Sequence, residues 1–203
     1  SAFWSDARRQ QWDRYESRVE NNTRMLTELL AKHGMKATFF ILGWVAERHP
    51  EMVKSLAAQG HEVASHGYGH ELVTTQAPER FRQDVRVAKK ILEDLTGSPV
   101  VGYRAPSFSI TSETAWALSI LVEEGYTYDS SIYDRFRRTE TERRPACGFE
   151  ILTPAGKIWE VPPSTLQMLG LQIPVAGGGY FRLFPYAASK SFLRRLERQG
   201  AKL

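Results

Sequence analysis

The chain has 203 residues, enough for one sizeable core and too few for two comfortable domains. It is 42% hydrophobic and 25% charged, and no apolar run approaches the roughly 18 residues of a membrane span, so the sequence is that of a globular domain without an integral membrane segment. The net charge of +4 and the basic clusters at Arg135, Arg137, Arg138, Arg143 and Arg144 and at Arg194, Arg195 and Arg198 read as solvated surface without the aromatic interleaving of a nucleic-acid site, while the single cysteine, Cys147, excludes an intrachain disulfide and a multi-cysteine metal centre.

One unit recurs along the chain: an amphipathic helix, a glycine that stops it, and a short extended run. A helix over Ser17 to His33, with Met25, Leu26, Leu29 and Leu30 on one face, ends at Gly34 and is followed by a buried strand over Lys36 to Leu42. A second, over Pro50 to Gln59, ends at Gly60 before the extended His61 to Ser65. A third, over Pro78 to Leu95, carries Phe81, Val85, Ala88, Leu92 and Leu95 on one stripe and ends at Gly97 before Pro99 to Tyr103. A fourth, over Ser112 to Glu124, buries Trp116, Ala117, Ile120 and Leu121 and ends at Gly125 before Tyr126 to Asp129. Strands alternating with helices imply an α/β fold with parallel strands, either a β/α barrel or a doubly wound sheet. In both, chemistry sits at the C-terminal ends of the strands.

The rhythm breaks between residues 133 and 186, read as an elaborated loop within a single domain over residues 1–203. Inside it, Phe149 to Thr153 and Lys157 to Val161 suit a hairpin around Pro154, Ala155 and Gly156. A last helix is expected over Ala187 to Gln199, and Ala201 to Leu203 resembles the start of another strand. With no strand before the first helix, the domain is expected to be incomplete at both ends, with unpaired sheet edges.

Two of the strand ends carry chemistry. After the second comes Ser65-His66-Gly67-Tyr68-Gly69-His70. Two histidines four apart can turn both rings toward one divalent ion if the residues between them form a turn; a chance pair in a polar turn is the alternative. After the third strand comes Gly102-Tyr103-Arg104-Ala105-Pro106-Ser107-Phe108. Arg104 can hold a carboxylate bidentately or serve as a structural arginine, Pro106 stiffens the loop, and the Ser107 N–H can face a developing oxyanion. Asp129 and Glu160 are secondary candidates, as a substrate contact or as a turn cap and a surface ion pair respectively. Tyr68, Phe108 and Trp159 can stack on a sugar face or fill the core. His33 and His49 lie near helix ends and are expected to be exposed; His61 opens a strand.

These segments together resemble the polysaccharide deacetylase family, of the NodB type. Lys36-Ala37-Thr38-Phe39-Phe40 looks like its second-strand signature, His66 and His70 match its two-histidine metal motif, and Arg104-Ala105-Pro106 matches its arginine-x-proline motif. Tyr128-Asp129-Ser130-Ser131 and Gly177-Gly178-Gly179-Tyr180-Phe181-Arg182 resemble a branch found with bacterial exopolysaccharide export loci. The resemblance implies an irregular β/α barrel of the NodB type that removes N-acetyl groups from a polysaccharide. It implies a divalent metal, zinc first with cobalt or nickel as alternatives, held by one aspartate and the two histidines. A second aspartate would be the base, with Arg104 holding it and the Ser107 N–H in the oxyanion hole, and a late histidine would be the acid.

The chain departs from that pattern. The paired aspartates belong on a strand before the first helix, and Asp6 and Asp13 do not match them; the late histidine belongs beyond Ala201. The chain as written is therefore expected to be inactive. Gly67 stands where a serine or threonine is usual, and Ser107 where a tyrosine is usual. These departures keep two alternatives open: an allantoinase-like hydrolase of small cyclic amides, separable by substrate, and a non-catalytic carbohydrate-binding domain.

Overall fold

The computed structural model describes residues 12–132, 148–168, 171–174 and 183–198. Its helices are α1 (Val19–Lys32), α2 (Gly43–Arg48), α3 (Pro50–Ala58), α4 (Pro78–Thr96), α5 (Trp116–Glu123) and α6 (Tyr186–Arg198). Its strands are β1 (Thr38–Ile41), β2 (Glu62–Ser65), β3 (Gly102–Tyr103), β4 (Tyr128–Asp129), β5 (Phe149–Thr153), β6 (Gly156–Glu160), β7 (Thr165–Met168) and β8 (Leu171–Pro174). The glycines expected to stop the first four helices, Gly34, Gly60, Gly97 and Gly125, all adopt positive φ.

Six strands form one open sheet in the order β1-β2-β3-β4-β6-β5. β1 to β4 and β6 run parallel, and β5 returns antiparallel along β6 as the expected hairpin. The order advances without the reversal that defines a doubly wound sheet, so the strands are laid down as in an incomplete β/α barrel. Helix α4 anchors the core. Phe81, Val85, Ala88 and Leu92 recur at helical spacing and are all fully buried, and the Phe81 ring meets Tyr103 and Trp116 edge-on.

Three features differ from the sequence reading. Helix α2 follows β1 directly where no helix is expected; its six residues are too few for a clear helical period. The fourth helix is split, because Thr114 accepts the Thr111 N–H and donates to the Ser109 carbonyl, holding a 3₁₀ turn over Ser112–Thr114 ahead of α5. The region read as an elaborated loop holds the antiparallel pair β7–β8. Leu166 of β7 and Leu196 of α6 bury a small apolar cluster together with Phe192 and Leu193 of the same helix, apart from the main core. Cys147, Gly177 to Arg182, Ala201 to Leu203, Asp6 and the arginines between 135 and 144 lie outside the described residues. Among the described residues, no helix is long and apolar enough to cross a membrane.

Candidate active site

The sheet ladder carries the site. Each parallel strand passes its last carbonyl to the first site residue of a neighbour: the His66 N–H donates to Ile41, the Arg104 N–H to Ser65, the Ser130 N–H to Tyr103 and the Val161 N–H to Asp129, at 2.8 to 3.0 Å. The C-terminal ends of β1, β2, β3, β4 and β6 are thereby brought level. His66, Arg104, Asp129 and Glu160 share one end of the sheet although 94 residues separate the first from the last.

The histidine loop and the arginine loop touch directly. His66 Nδ1 lies 2.6 Å from the Arg104 carbonyl oxygen, so Nδ1 carries the hydrogen and Nε2 is the nitrogen left for a ligand. Burial pushes the His66 imidazole down to about 4, against the upward pull of the hydrogen bond to the Arg104 carbonyl and aided by the nearby His70 and the Arg104 charge, and keeps the ring neutral at pH 7. The His66 and His70 rings meet edge-to-face with centroids 5.1 Å apart. His70 reaches that position with φ at 55°. Ser107 and Phe108 have φ of 53° and 55°, and these three are the non-glycine residues with positive φ among those described. Left-handed backbone at such residues costs about 1 kcal/mol or more each, and it concentrates where function requires a geometry.

The guanidinium of Arg104 is anchored to the turn after β4. Its Nε donates to the Ser130 carbonyl at 3.1 Å and its Nη2 to the Ser130 hydroxyl at 2.5 Å. It lies over the Phe40 ring at 4.2 Å, with the half-exposed Phe108 ring at 5.8 Å. Ser131 ties the loop to β4 by accepting the Ala105 N–H and donating to Asp129 Oδ1.

Asp129 is fully buried and caps the turn beyond β4, its carboxyl accepting from the Ser130 and Ser131 amides and the Ser131 hydroxyl, whereas Glu160, expected in a surface ion pair, is fully buried instead. They are register partners on β4 and β6, and their two buried carboxyl groups interact. Two carboxyl groups so placed favour one proton held by the pair over two like charges. Burial drives the Asp129 carboxyl up to about 6 against the contrary pull of Ser131, Glu160 and the Ser130 and Ser131 amides. Glu160 Oε1 also accepts the Ile132 N–H at 3.0 Å.

Tyr68 donates its hydroxyl to Glu47 on α2 at 2.8 Å, Pro106 is buried within the arginine loop, and Trp159 is 53% exposed on the hairpin. His61 is buried under Ala37 and edge-on to Phe39. His49, expected to be exposed, is largely covered and paired with Glu20 at 2.9 Å. Among the described residues, no three His, Cys, Asp or Glu side chains are gathered as a metal cluster.

Sequence reasoning missed Asp84. It sits on the apolar stripe of α4, three residues after Phe81 and four before Ala88, and its carboxylate accepts the Tyr68 N–H at 2.9 Å and the Gly69 N–H at 3.4 Å. Burial raises its carboxyl above the usual range while those two amides oppose the rise. A carboxylate on an otherwise apolar stripe was the available signal.

The sequence profile of the polysaccharide deacetylases matches residues 11–128, and that of a domain of unknown function (DUF3473) matches residues 130–203. A peptidoglycan deacetylase-like protein of Gibberella zeae is 35% identical over 53% of this chain and 31% of its own length. A peptidoglycan deacetylase of Helicobacter pylori is 31% identical over 53% of this chain and 36% of its own length. The chain thus spans about a third of the length of each. Among solved structures, one from Mycobacterium smegmatis classed with the polysaccharide deacetylases is 32% identical with a TM-score of 0.59, covering 70% of this chain and 45% of that one. The fold is also shared with the PuuE allantoinase (TM-score 0.56, 23% identity, 68% of this chain and 42% of that one).

Proposed function

The chain belongs to the polysaccharide deacetylase family, and from that premise we propose that its protein hydrolyses N-acetyl groups from an amino-sugar polysaccharide of bacterial exopolysaccharide or cell-wall metabolism, using a divalent metal. The observation that carries this reading is the direct contact of the two loops, His66 Nδ1 on the Arg104 carbonyl, with the three left-handed non-glycine residues found among the described ones gathered on them.

The donor chemistry fits a zinc-type ion, with cobalt or nickel as alternatives. His66 is neutral and has its Nδ1 engaged, and the His70 ring is beside it. These two would hold the metal, with an aspartate outside the described residues as the third ligand. When bound, such an ion polarises an acetamide carbonyl and makes a water nucleophilic near neutral pH. The Arg104 carbonyl fixes which nitrogen His66 presents. The Ser107 N–H, on the exposed left-handed turn beyond the buried Pro106, serves as the oxyanion donor. Phe108, stacked toward Arg104 and half-exposed, gives a sugar ring an apolar face, with Tyr68 and Trp159 farther out. Asp129 and Glu160, fully buried, act on substrate only through the arginine loop, by way of Ser131.

The test is acetate release by the full-length protein, with added zinc or cobalt, from N-acetylglucosamine oligomers and peptidoglycan, with allantoin in parallel. His66→Ala and His70→Ala are each expected to abolish acetate release. Turnover of allantoin alone would replace this reading with the cyclic-amide one. Sugar binding with no turnover by the loaded full-length protein would leave a carbohydrate-binding domain.

A further inference from the structure

The loop between the two histidines is held from outside, by α4. The Asp84 carboxylate meets the Tyr68 N–H at 2.9 Å and the Gly69 N–H at 3.4 Å, the two amides immediately before His70. It occupies the place of a side chain at position 67: a Cβ built on Gly67 would lie 2.5 Å from Asp84 Oδ2, and Gly67 has φ of +74°. Only glycine satisfies both conditions without displacement. The departure at Gly67 and the acidic residue on the apolar stripe of α4 are therefore one feature seen from two elements. Asp84 is mounted one helical turn from the fully buried Phe81 and Ala88, on the helix that anchors the core. Glu71 and Arg80 are the other charged groups around it, with opposed effects on its carboxyl.

We propose that Asp84 is the positioning residue of the two-histidine loop: by gripping the amides of Tyr68 and Gly69 in the space Gly67 leaves open, it fixes His70 in its left-handed conformation beside His66 and so sets the geometry of the metal-binding pair. The part concerning metal rests on the function proposed above; the part concerning the rings does not.

The experiment uses the full-length protein with Asp84→Ala and, as a milder change that keeps one acceptor, Asp84→Asn. In metal-free protein, proton NOEs between the His66 and His70 rings report their proximity, and NOEs between the Phe81 and Tyr103 rings, whose centroids are 5.8 Å apart, report the core. The expected result is that the His66–His70 NOEs vanish in Asp84→Ala and weaken in Asp84→Asn, while the Phe81–Tyr103 NOEs persist in both. Cobalt titration, followed by visible absorption, should show affinity reduced by about 10- to 100-fold, the usual effect of removing a group that orients metal ligands. His66–His70 NOEs unchanged in both variants would overturn the proposal, and so would the disappearance of both sets of NOEs together in both variants. Wild-type protein that shows the histidine NOEs but takes up no cobalt would instead defeat the metal reading, and the NOE comparison would still decide the role of Asp84.

Discussion

At the scale of single residues, the buried carboxyl pair makes a prediction about pH. Asp129 has its carboxyl raised to about 6 in the fold, above the ordinary 3.8. The native state therefore binds more protons than the unfolded chain between about pH 4 and 6, and the pair's contribution to stability falls as pH rises through that window. His66 works in the opposite direction: lowered to about 4 from 6.5, it leaves the unfolded chain with more protons, so its contribution rises with pH across the same interval. The two partly cancel in the wild type. Glu160→Gln separates them, because an amide can keep the Ile132 N–H and donate to an ionised Asp129. Urea denaturation at pH 4.5 and pH 7 should show E160Q gaining on the wild type by roughly 1 to 3 kcal/mol between the two conditions. An advantage that does not change with pH would refute the shared proton. The sequence named both residues and read the turn beyond Asp129, but it put Glu160 at the surface. A carboxylate at a strand end looks like a surface ion pair until the register of β4 on β6 sets Asp129 opposite Glu160. His66, His70 and Arg104, by contrast, were legible from local spacing, because a strand end that leads into a polar turn is a local pattern. Ser130, which holds Arg104, and Asp84, which holds the loop between the histidines, lie 26 residues from Arg104 and 18 from His66, and no local pattern joins them.

At the scale of elements, α4 supports both the core and the histidine loop. Its apolar stripe was readable because four buried residues recur at 3.6-residue spacing over 19 residues. Helix α2 was not, being six residues long and defined by what it packs on: a Cβ on Gly43 would lie 2.7 Å from the Tyr68 ring and 3.2 Å from the Ala88 backbone. The Gly43 and Trp44 amides donate to the Gly67 and Tyr68 carbonyls, so the histidine loop is clasped between α2 and α4. Phe81→Ala, which empties a fully buried aromatic site against Tyr103 and Trp116, should cost about 3 to 5 kcal/mol in chemical denaturation. Gly67→Ala should destabilise through both its strained φ and the collision with Asp84. In an Asp84→Ala background the collision is gone and the added loss should fall to the backbone cost of about 1 kcal/mol. A double-mutant cycle with no coupling between positions 67 and 84 would show that the two do not meet.

At the scale of the whole molecule, the two matched profiles divide the chain at residue 129, but the packing does not. The β5–β6 hairpin lies beyond that point, yet β6 pairs with β4 in the main sheet and Ile158 is fully buried in the main core. What stands apart is smaller: Leu166 on β7 and Leu196 on α6, with Phe192 and Leu193 around them. A cluster of that size holds its helix and strand pair with far less buried apolar surface than the main core gives α4, so it should open independently and at lower free energy. The site belongs entirely to the larger core, since His66, Arg104, Asp129 and Glu160 all lie on the main sheet ladder. Hydrogen exchange should therefore show faster-exchanging amides in β7, β8 and α6 than in β2 and α4. Leu196→Ala, which truncates a side chain only 1% exposed, should accelerate exchange in β7, β8 and α6 while leaving β2, α4 and the His66 and Arg104 amides unchanged. Exchange accelerated equally in both regions would mean that the two clusters unfold as one unit, and that the small cluster contributes to the stability of the histidine and arginine loops from a distance.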